Sequence, residues 1–240
     1  MSTKDKKKIN VLPAILKVIA IVASVYGMIR SYENLGFFTY FTNLSNIAID
    51  LGLLVSLIYD LTGKEKKNGF YVVKFLLTLS ITLTFLVYLC ILAPTSEDGF
   101  LAAYFSNYAA SFCVHFVTPV LAILDFLFFD YRYESTPVHA VYAVIPPLVY
   151  VGYVVILAQC FGVRWSDGNM MAPYNFINYG APTGWFGFDL SQMGPYSLGI
   201  GVAYMIVALV VIFILLGLLF LFGKNVRRKH MLGRNGAKNR

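Results

Sequence analysis

The sequence predicts an all-α fold, a polytopic membrane helical bundle of six transmembrane helices with both the N- and C-termini cytoplasmic. Hydrophobic residues make up 58% of the 240 residues and charged residues only 13%, whereas a soluble domain carries about 25% charged residues. Apolar runs of about 20 residues recur along the chain, each long enough to cross a hydrocarbon core of about 30 Å. Lys and Arg concentrate in the two tails and in two of the loops.

The six spans leave no room for a soluble domain, so residues 1–240 are predicted to form a single transmembrane domain. Each span should be helical, because backbone polar groups in lipid must be satisfied within their own segment. The first span is not a cleaved signal peptide, since no small-residue cleavage site follows it. The predicted spans are 9–28, 39–61, 72–93, 107–129, 139–161 and 198–223.

The distribution of positive charge predicts the orientation. Apart from Lys17, one side of the bundle carries only Arg30 and Arg164. The other side, in its tails, its loops and the adjoining span ends, carries Lys4, Lys6, Lys7, Lys8, Lys64, Lys66, Lys67, Lys74, Arg132, Lys224, Arg227, Arg228, Lys229, Arg234, Lys238 and Arg240. The positive-inside rule then places both tails in the cytoplasm of a multi-pass protein of the cell membrane. We expect the basic tails to contact anionic lipid and not nucleic acid.

The fourth span carries ionisable residues at membrane depth. It reads NYAASFCVHFVTPVLAILDFLFFD, and an Asp at that depth costs at least ~2.5 kcal/mol on insertion scales unless it has a partner or a function. On a regular helix Ser111, His115, Thr118 and Asp125 share one face, which should point into the protein. For His115, interhelical packing by hydrogen bonds and a functional role both stay open.

A polar stripe also runs along the outer half of the second span, where Thr42, Asn46 and Asp50 are spaced by four. Thr42 lies about one turn below the outer end, and His115 lies about two turns or ~12 Å into its own span. If the two helices are neighbours, the hydroxyl and the imidazole meet, which is the minimum for nucleophilic catalysis. The structural alternative is a threonine that hydrogen-bonds to its own backbone.

Lys17 and Asp50 form another pair of charges that lie deep within spans. At these depths each side chain requires a partner. We predict a structural contact between Lys17 and Asp50, with a contact between Lys17 and Asp125 as the second choice.

The cysteines and histidines predict no cofactor. Cys90 and Cys160 fall near the ends of two spans on the same side, so a disulfide is possible, although the spacing does not support one. Cys113 lies two residues from His115 and therefore points to another face of the helix. The sequence has no metal-ligand spacing such as HExxH or paired CxxC, so we expect no metal site.

The fifth loop, residues 162–196, is too long for a simple turn and is rich in Gly, Pro, Asn and aromatic residues. Long loops of this kind are commonly functional lids or flexible segments. Two arrangements stay open for its rings, a belt at the membrane interface or a cover over a cavity mouth. The rings are those of Trp165, Tyr174, Phe176, Tyr179, Trp185 and Phe186.

Two of these stretches resemble the signature spans of a known family. FTNLSNIAID and HFVTPVLAILD resemble those of six-span intramembrane hydrolases, a family that includes the androgen-induced and androgen-dependent TFPI-regulating proteins. They are similar also to bacterial six-span integral membrane proteins of unassigned role. NMMAPYNF resembles the aromatic–proline segment that follows the fifth span in this family.

The resemblance implies an activity and a set of site residues. Members of the family hydrolyse fatty acid esters of hydroxy fatty acids with a threonine nucleophile and a histidine. By resemblance, Thr42 is the nucleophile and His115 the base, acting on a membrane lipid or acyl chain without a cofactor. Asn43 or Asn46 would donate to the oxyanion. Asp125 would be a supporting acidic residue, although it lies too deep to orient the ring as a triad aspartate does.

The sequence departs from the animal members around Thr42, where Asn43, Ser45 and Asn46 replace more apolar residues. The substrate therefore does not follow from the resemblance, and two alternatives stay open. One is acyl transfer by the same pair, with a second lipid in place of water. The other is a non-catalytic lipid-binding or transport protein, in which the polar stripes bind a head group or an ion.

Overall fold

A computed structural model describes residues 11–94, 96 and 99–238, with side chains described as far as Leu232. The predicted start of the first span at Ile9, the lysines of the N-terminal tail and Arg240 lie outside the described residues. The chain is mostly helical, and six helices are long and apolar enough to cross a membrane. Among the described residues, the predicted number of helices of membrane-spanning length and apolarity is therefore confirmed.

We number the spanning helices α1 to α6 in chain order. Their bounds are Val11–Ser31, Phe41–Thr62, Asn68–Leu92, Phe100–Phe129, Val138–Cys160 and Val202–Lys238. Outside them lie two short 3-10 helices, Leu35–Thr39 and Asn175–Ile177, and an antiparallel hairpin of strands β1, Phe188–Gly194, and β2, Ser197–Ile200. The hairpin joins the end of the fifth loop to α6, so the sixth span begins at Val202 and not at Leu198 as predicted.

Local chemistry explains where two of the helices end or break. Gly63 adopts a positive φ of 67° directly after α2, and glycine is the residue that best tolerates this helix-ending conformation. Helix α5 consists of Val138–Tyr142 and Ile145–Cys160. The interruption precedes Pro146 and Pro147, because proline has no N–H to donate to the preceding turn.

Helix α4 begins earlier than predicted and bends near its outer end. It starts at Phe100, and Asn107, Tyr108 and Ala109 follow with φ between 49° and 59°, a left-handed conformation that is strained for residues other than glycine. The outer end of α1 holds this bend. The Arg30 guanidinium lies 4.0 Å from the centroid of the Tyr108 ring, and Asn107 Nδ2 donates to Arg30 O.

A π-helical turn at Cys113–Val117 changes the directions in which the side chains of α4 point before and after it. A π turn contains an extra residue and therefore rotates the helix faces on its two sides relative to each other. His115 stacks on Tyr88 of α3, whereas Thr118 Oγ1 donates to Ala20 O of α1. The prediction that His115 shares a helix face with Thr118 and Asp125 is therefore wrong, because His115 points to α3.

The helices pack as a four-helix block with two further helices beside it. Helix α1 contacts α2 and α4, and α3 contacts the same two helices from the other side. Helix α6 lies against α4 and the first part of α5. The centre of the block is filled by the buried side chains Ala20, Ile49, Leu53, Ile81 and Ala122.

The closest approach of α1 to α4 occurs at Gly27, and we expect Gly27→Ala to destabilise the protein by about 1–3 kcal/mol. A Cβ at this position would meet Val114 Cγ1 at 2.7 Å and the carbonyl oxygen of Ala110 at 2.8 Å. Thermal unfolding of the purified protein in detergent measures the effect. Gly152→Ala is the control, since its Cβ would meet nothing within 4 Å. Equal melting temperatures for the two variants would contradict the predicted close packing.

Candidate functional site

A cavity with apolar walls lies between α2, α3, α5 and α6. Its enclosed volume is about 60 Å³, and about 540 Å³ of space surrounds it when its open side is included. Most of its walls are aliphatic and aromatic side chains. The hydroxyl-bearing side chains on its walls are those of Thr42, Thr84, Tyr150 and Tyr174.

Thr42, the predicted nucleophile, lines this cavity from the first turn of α2. Its carbonyl oxygen accepts hydrogen bonds from Asn46 Nδ2 at 2.9 Å and from Ser45 Oγ at 3.0 Å. Ser45 Oγ also lies 2.8 Å from Thr84 Oγ1 of α3. These contacts fix the outer end of α2 against α3 and hold the Thr42 side chain at the cavity.

Tyr174, from the fifth loop, lies beside the Thr42 hydroxyl. Burial raises the pKa of the Tyr174 phenol above its ordinary value, and the neighbouring Thr42 only partly opposes this shift. The phenol is therefore protonated near neutral pH, and it can donate a hydrogen bond into the cavity.

His115, the predicted base, lies on α4 beside Tyr88 of α3 and is not among the residues that line the cavity. Its ring stacks on Tyr88 with the centroids 3.7 Å apart, and Tyr88 is one helical turn beyond Thr84. His115 Nδ1 lies 3.0 Å from Ser111 O. A carbonyl oxygen can only accept, so Nδ1 carries the proton and Nε2 is the free acceptor. Within the described part of the chain, no hydrogen bond joins Thr42 to His115.

The three residues suggested as oxyanion donors or orienting groups have other contacts in the structure. Asn46 Nδ2 donates to the carbonyl oxygens of Thr42 and Val114. Asn43 Nδ2 donates to Phe37 O at 2.8 Å, away from the apolar cavity. Asp125 forms ion pairs at the opposite end of the bundle and has no contact with His115 among the described residues.

Asn43 instead lines a second, polar cavity at the outer end of α2. This cavity contains about 600 Å³ of empty space, including its open side, and charged Glu33 and Arg164 also line it. Burial raises the pKa of Tyr40 on its wall, and the negative charge of Glu33 adds to the shift.

A buried ion network lies at the other end of the bundle and corrects the predicted pairing of Lys17. Lys17 Nζ lies 2.5 Å from Asp125 Oδ1 and 2.9 Å from Asp60 Oδ2, so the second-choice contact is confirmed and the predicted contact with Asp50 is wrong. Lys74 joins Asp125 to Asp130, and Lys66 pairs with Asp60. Asp60 takes the place that Asp50 was expected to fill, because it is nearer to the depth of Lys17 on the antiparallel helix.

The fifth loop folds back over the bundle. Trp165 is buried, and its Nε1 donates to Thr39 Oγ1 at 2.9 Å. Tyr174, Phe176 and Ile177 line the apolar cavity. Trp185 and Phe186, in contrast, stay exposed. The first half of the loop therefore covers the cavity mouth, which is one of the two arrangements that the sequence left open.

Among the described residues, the cysteines form neither a disulfide nor part of a metal site. Cys90 and Cys160 are both free and exposed, so the structure contains no disulfide between them. Among the residues that the structure describes, no group of three or more His, Cys, Asp and Glu side chains is arranged to hold a metal ion.

Comparison with known proteins identifies no relative: no family model matches the chain, and neither a curated protein nor a solved structure is significantly similar to it.

Proposed function

We propose that this chain is a multi-pass membrane protein with both termini in the cytoplasm, and that it hydrolyses the ester of a membrane lipid in the apolar cavity. Thr42 acts as the nucleophile and His115 as the base. The observation that carries the proposal is the position of the Thr42 hydroxyl on the wall of a cavity whose other walls are mostly apolar. The resemblance of the second and fourth spans to six-span intramembrane hydrolases supplies the choice of reaction.

The proposed orientation has support in the distribution of charge. The second loop and the inner parts of α1, α3 and α4 bring their lysines and aspartates together at one end of the bundle. Basic residues of the second and fourth loops and of the end of α6 belong to the same end. By the positive-inside rule this end faces the cytoplasm. The cavity then lies in the outer half of the membrane, where an acyl chain can enter sideways.

The reaction requires one nucleophile and one proton carrier. Thr42 Oγ1 attacks the ester carbonyl carbon while His115 Nε2 accepts the hydroxyl proton. The ester C–O bond then breaks, and His115 returns the proton to the leaving alcohol. Water attacks the acyl-threonine with the same proton transfers and releases the fatty acid. The protonated Tyr174 phenol, which lies beside Thr42, donates to the oxyanion in this scheme.

His115 has to approach Thr42 for this chemistry. Catalytic hydrogen bonds are often long without substrate and shorten in the substrate complex. The Tyr88 ring, which stacks on His115, is the side chain whose movement would accompany that approach.

A second candidate is non-catalytic binding or transport of a lipid, and one observation favours it. The Thr42 hydroxyl has no hydrogen bond to a base among the described residues, although Thr42 lines an apolar cavity. Acyl transfer with the same pair differs only in the acceptor, because an alcohol on a second lipid would replace water in the last step.

Labelling by a fluorophosphonate probe distinguishes these candidates, since the probe reacts with an activated hydroxyl and not with a passive binding wall. We expect the purified protein to be labelled and the adduct to map to Thr42 by mass spectrometry. His115→Ala should slow labelling by about 10²–10⁴-fold, the usual contribution of a general base.

His139→Ala is the matched control, because His139 stacks on Tyr133 much as His115 stacks on Tyr88, but at the other end of the bundle. This variant should be labelled at the wild-type rate. Wild-type protein that binds a fatty acyl ester but is not labelled would reject the hydrolase and support the lipid-binding candidate.

A further inference from the structure

Asp50, near the middle of α2, is a buried acid without a partner. It is only 9% exposed, and neither of its carboxylate oxygens has a hydrogen-bond partner among the described residues. The other aspartates of the described spans, Asp60 and Asp125, are both paired with lysines. Asp50 is thus the one acidic side chain of these spans that the ion network does not compensate.

The nearby lysines already pair with other aspartates, so none of them balances the charge of Asp50. Lys17, its expected partner, lies between Asp60 and Asp125, and the whole network contains as many aspartates as lysines. An unpaired carboxylate at membrane depth is strongly unfavourable. Asp50 is therefore either protonated or balanced by a cation that is not part of the chain.

Two neutral polar side chains, Ser24 and Asn46, lie on the same side of the bundle as the Asp50 carboxylate. The hydroxyl of Ser24, on α1, lies beside Asp50 and donates to Asn46 Oδ1 at 3.1 Å. Ser24 and Asn46 are both fully buried. The Asn46 amide nitrogen donates to the carbonyl oxygens of Thr42 and Val114, so Oδ1 is the atom that it presents to Ser24. Carboxylate, hydroxyl and carboxamide oxygens are the ligands that hard cations prefer.

We propose that Asp50, Ser24 and Asn46 form a binding site for one sodium ion between α1 and α2. A single carboxylate balances one positive charge, so a monovalent ion leaves the interior neutral. A divalent ion would leave a net positive charge there, which is again unfavourable. The site lies two helical turns from Thr42 and does not depend on the proposed hydrolysis.

Thermal unfolding of the purified protein in detergent tests the site at about pH 8. Sodium, potassium and choline chloride are compared at equal ionic strength, because a ligand that binds only the folded state raises its melting temperature. We expect the wild type to melt about 3 °C or more higher in sodium than in the other salts. Asp50→Asn should show no sodium response, whereas Asp189→Asn, an exposed aspartate of β1, should respond as the wild type does.

A sodium titration of Ser24→Ala provides the second measurement, which decides the matter if Asp50→Asn does not fold. Removing one ligand should move the midpoint of the titration to about tenfold higher sodium, equivalent to about 1.4 kcal/mol. Equal melting in all three salts would overturn the proposal and leave Asp50 as a simply protonated carboxyl. A sodium response retained in Asp50→Asn, or an unchanged midpoint in Ser24→Ala, would overturn it too.

Discussion

Replacing Asp125 by alanine is expected to destabilise the protein by about 3–5 kcal/mol, the usual effect of removing one member of a buried ion pair. The Asp125 carboxylate lies between Lys17 and Lys74, and all three side chains are buried. Without it, each of the two buried lysines keeps only one acidic partner, Asp60 for Lys17 and Asp130 for Lys74. Chemical or thermal unfolding in detergent measures the loss.

Glu134→Ala is the matched control for this prediction. Glu134 pairs with Arg228 at 3.1 Å, but its side chain is 71% exposed, so its removal should change stability by less than about 1 kcal/mol. The double variant Lys17→Met with Asp125→Leu should recover part of the loss, because well-packed apolar groups often replace a buried pair without penalty. Equal stability of Asp125→Ala and Glu134→Ala would show that the network does not hold the bundle together.

Replacing Thr42 by alanine is expected to reduce ester hydrolysis by about 10³–10⁶-fold, the range found when a catalytic nucleophile is removed. The effect follows only if Thr42 forms the covalent bond to the acyl group. Hydrolysis of a chromogenic fatty acyl ester in mixed micelles, followed over substrate concentration, separates kcat from KM.

Thr84→Ala is the control, because its hydroxyl lies on the same cavity and contacts Ser45. It should keep kcat within about tenfold of the wild type, since it alters one wall contact and no reacting atom. Thr42→Ser should retain measurable turnover because it keeps the hydroxyl. Turnover in Thr42→Ala at the wild-type rate would exclude Thr42 as the nucleophile.

The number of spans and their approximate limits were predictable from the sequence, because crossing a bilayer requires about 20 apolar residues and a helical backbone. The break near Asn107 was not. Its left-handed residues are stabilised by Arg30 and Tyr26 of α1, which are distant in the sequence. No local pattern of glycine or proline marks the position.

The candidate site was predictable only in part, and the π turn at Cys113–Val117 is the main reason. Face arguments assume a regular helix, so they placed His115 with Thr118 and Asp125 when the extra residue directs it towards Tyr88. Tyr174 was recognised only as one ring of an aromatic loop. Its place beside Thr42 depends on how the fifth loop folds over the bundle, which spacing along the chain does not reveal.

The pairing of Lys17 shows how far depth alone can be used. Its depth correctly required an acidic partner, and Asp50 and Asp125 were both within range of the prediction. Depth does not indicate Asp60 as a partner, because Asp60 lies near the end of its span, where an aspartate can reach water. The contact between Lys17 and Asp60 spans 2.9 Å and ties the ends of α1 and α2 together.

Helix α6 continues without a break from Val202 to Lys238, which corresponds to about 55 Å at 1.5 Å per residue. The hydrocarbon layer accounts for only about 30 Å of that length. The remainder continues as a helix that carries the exposed Lys229 and the half-buried Arg227 and Arg228. On a negatively charged membrane surface, these charges would already be held in place by the helix. Binding would therefore cost less conformational entropy than the binding of a flexible polybasic tail.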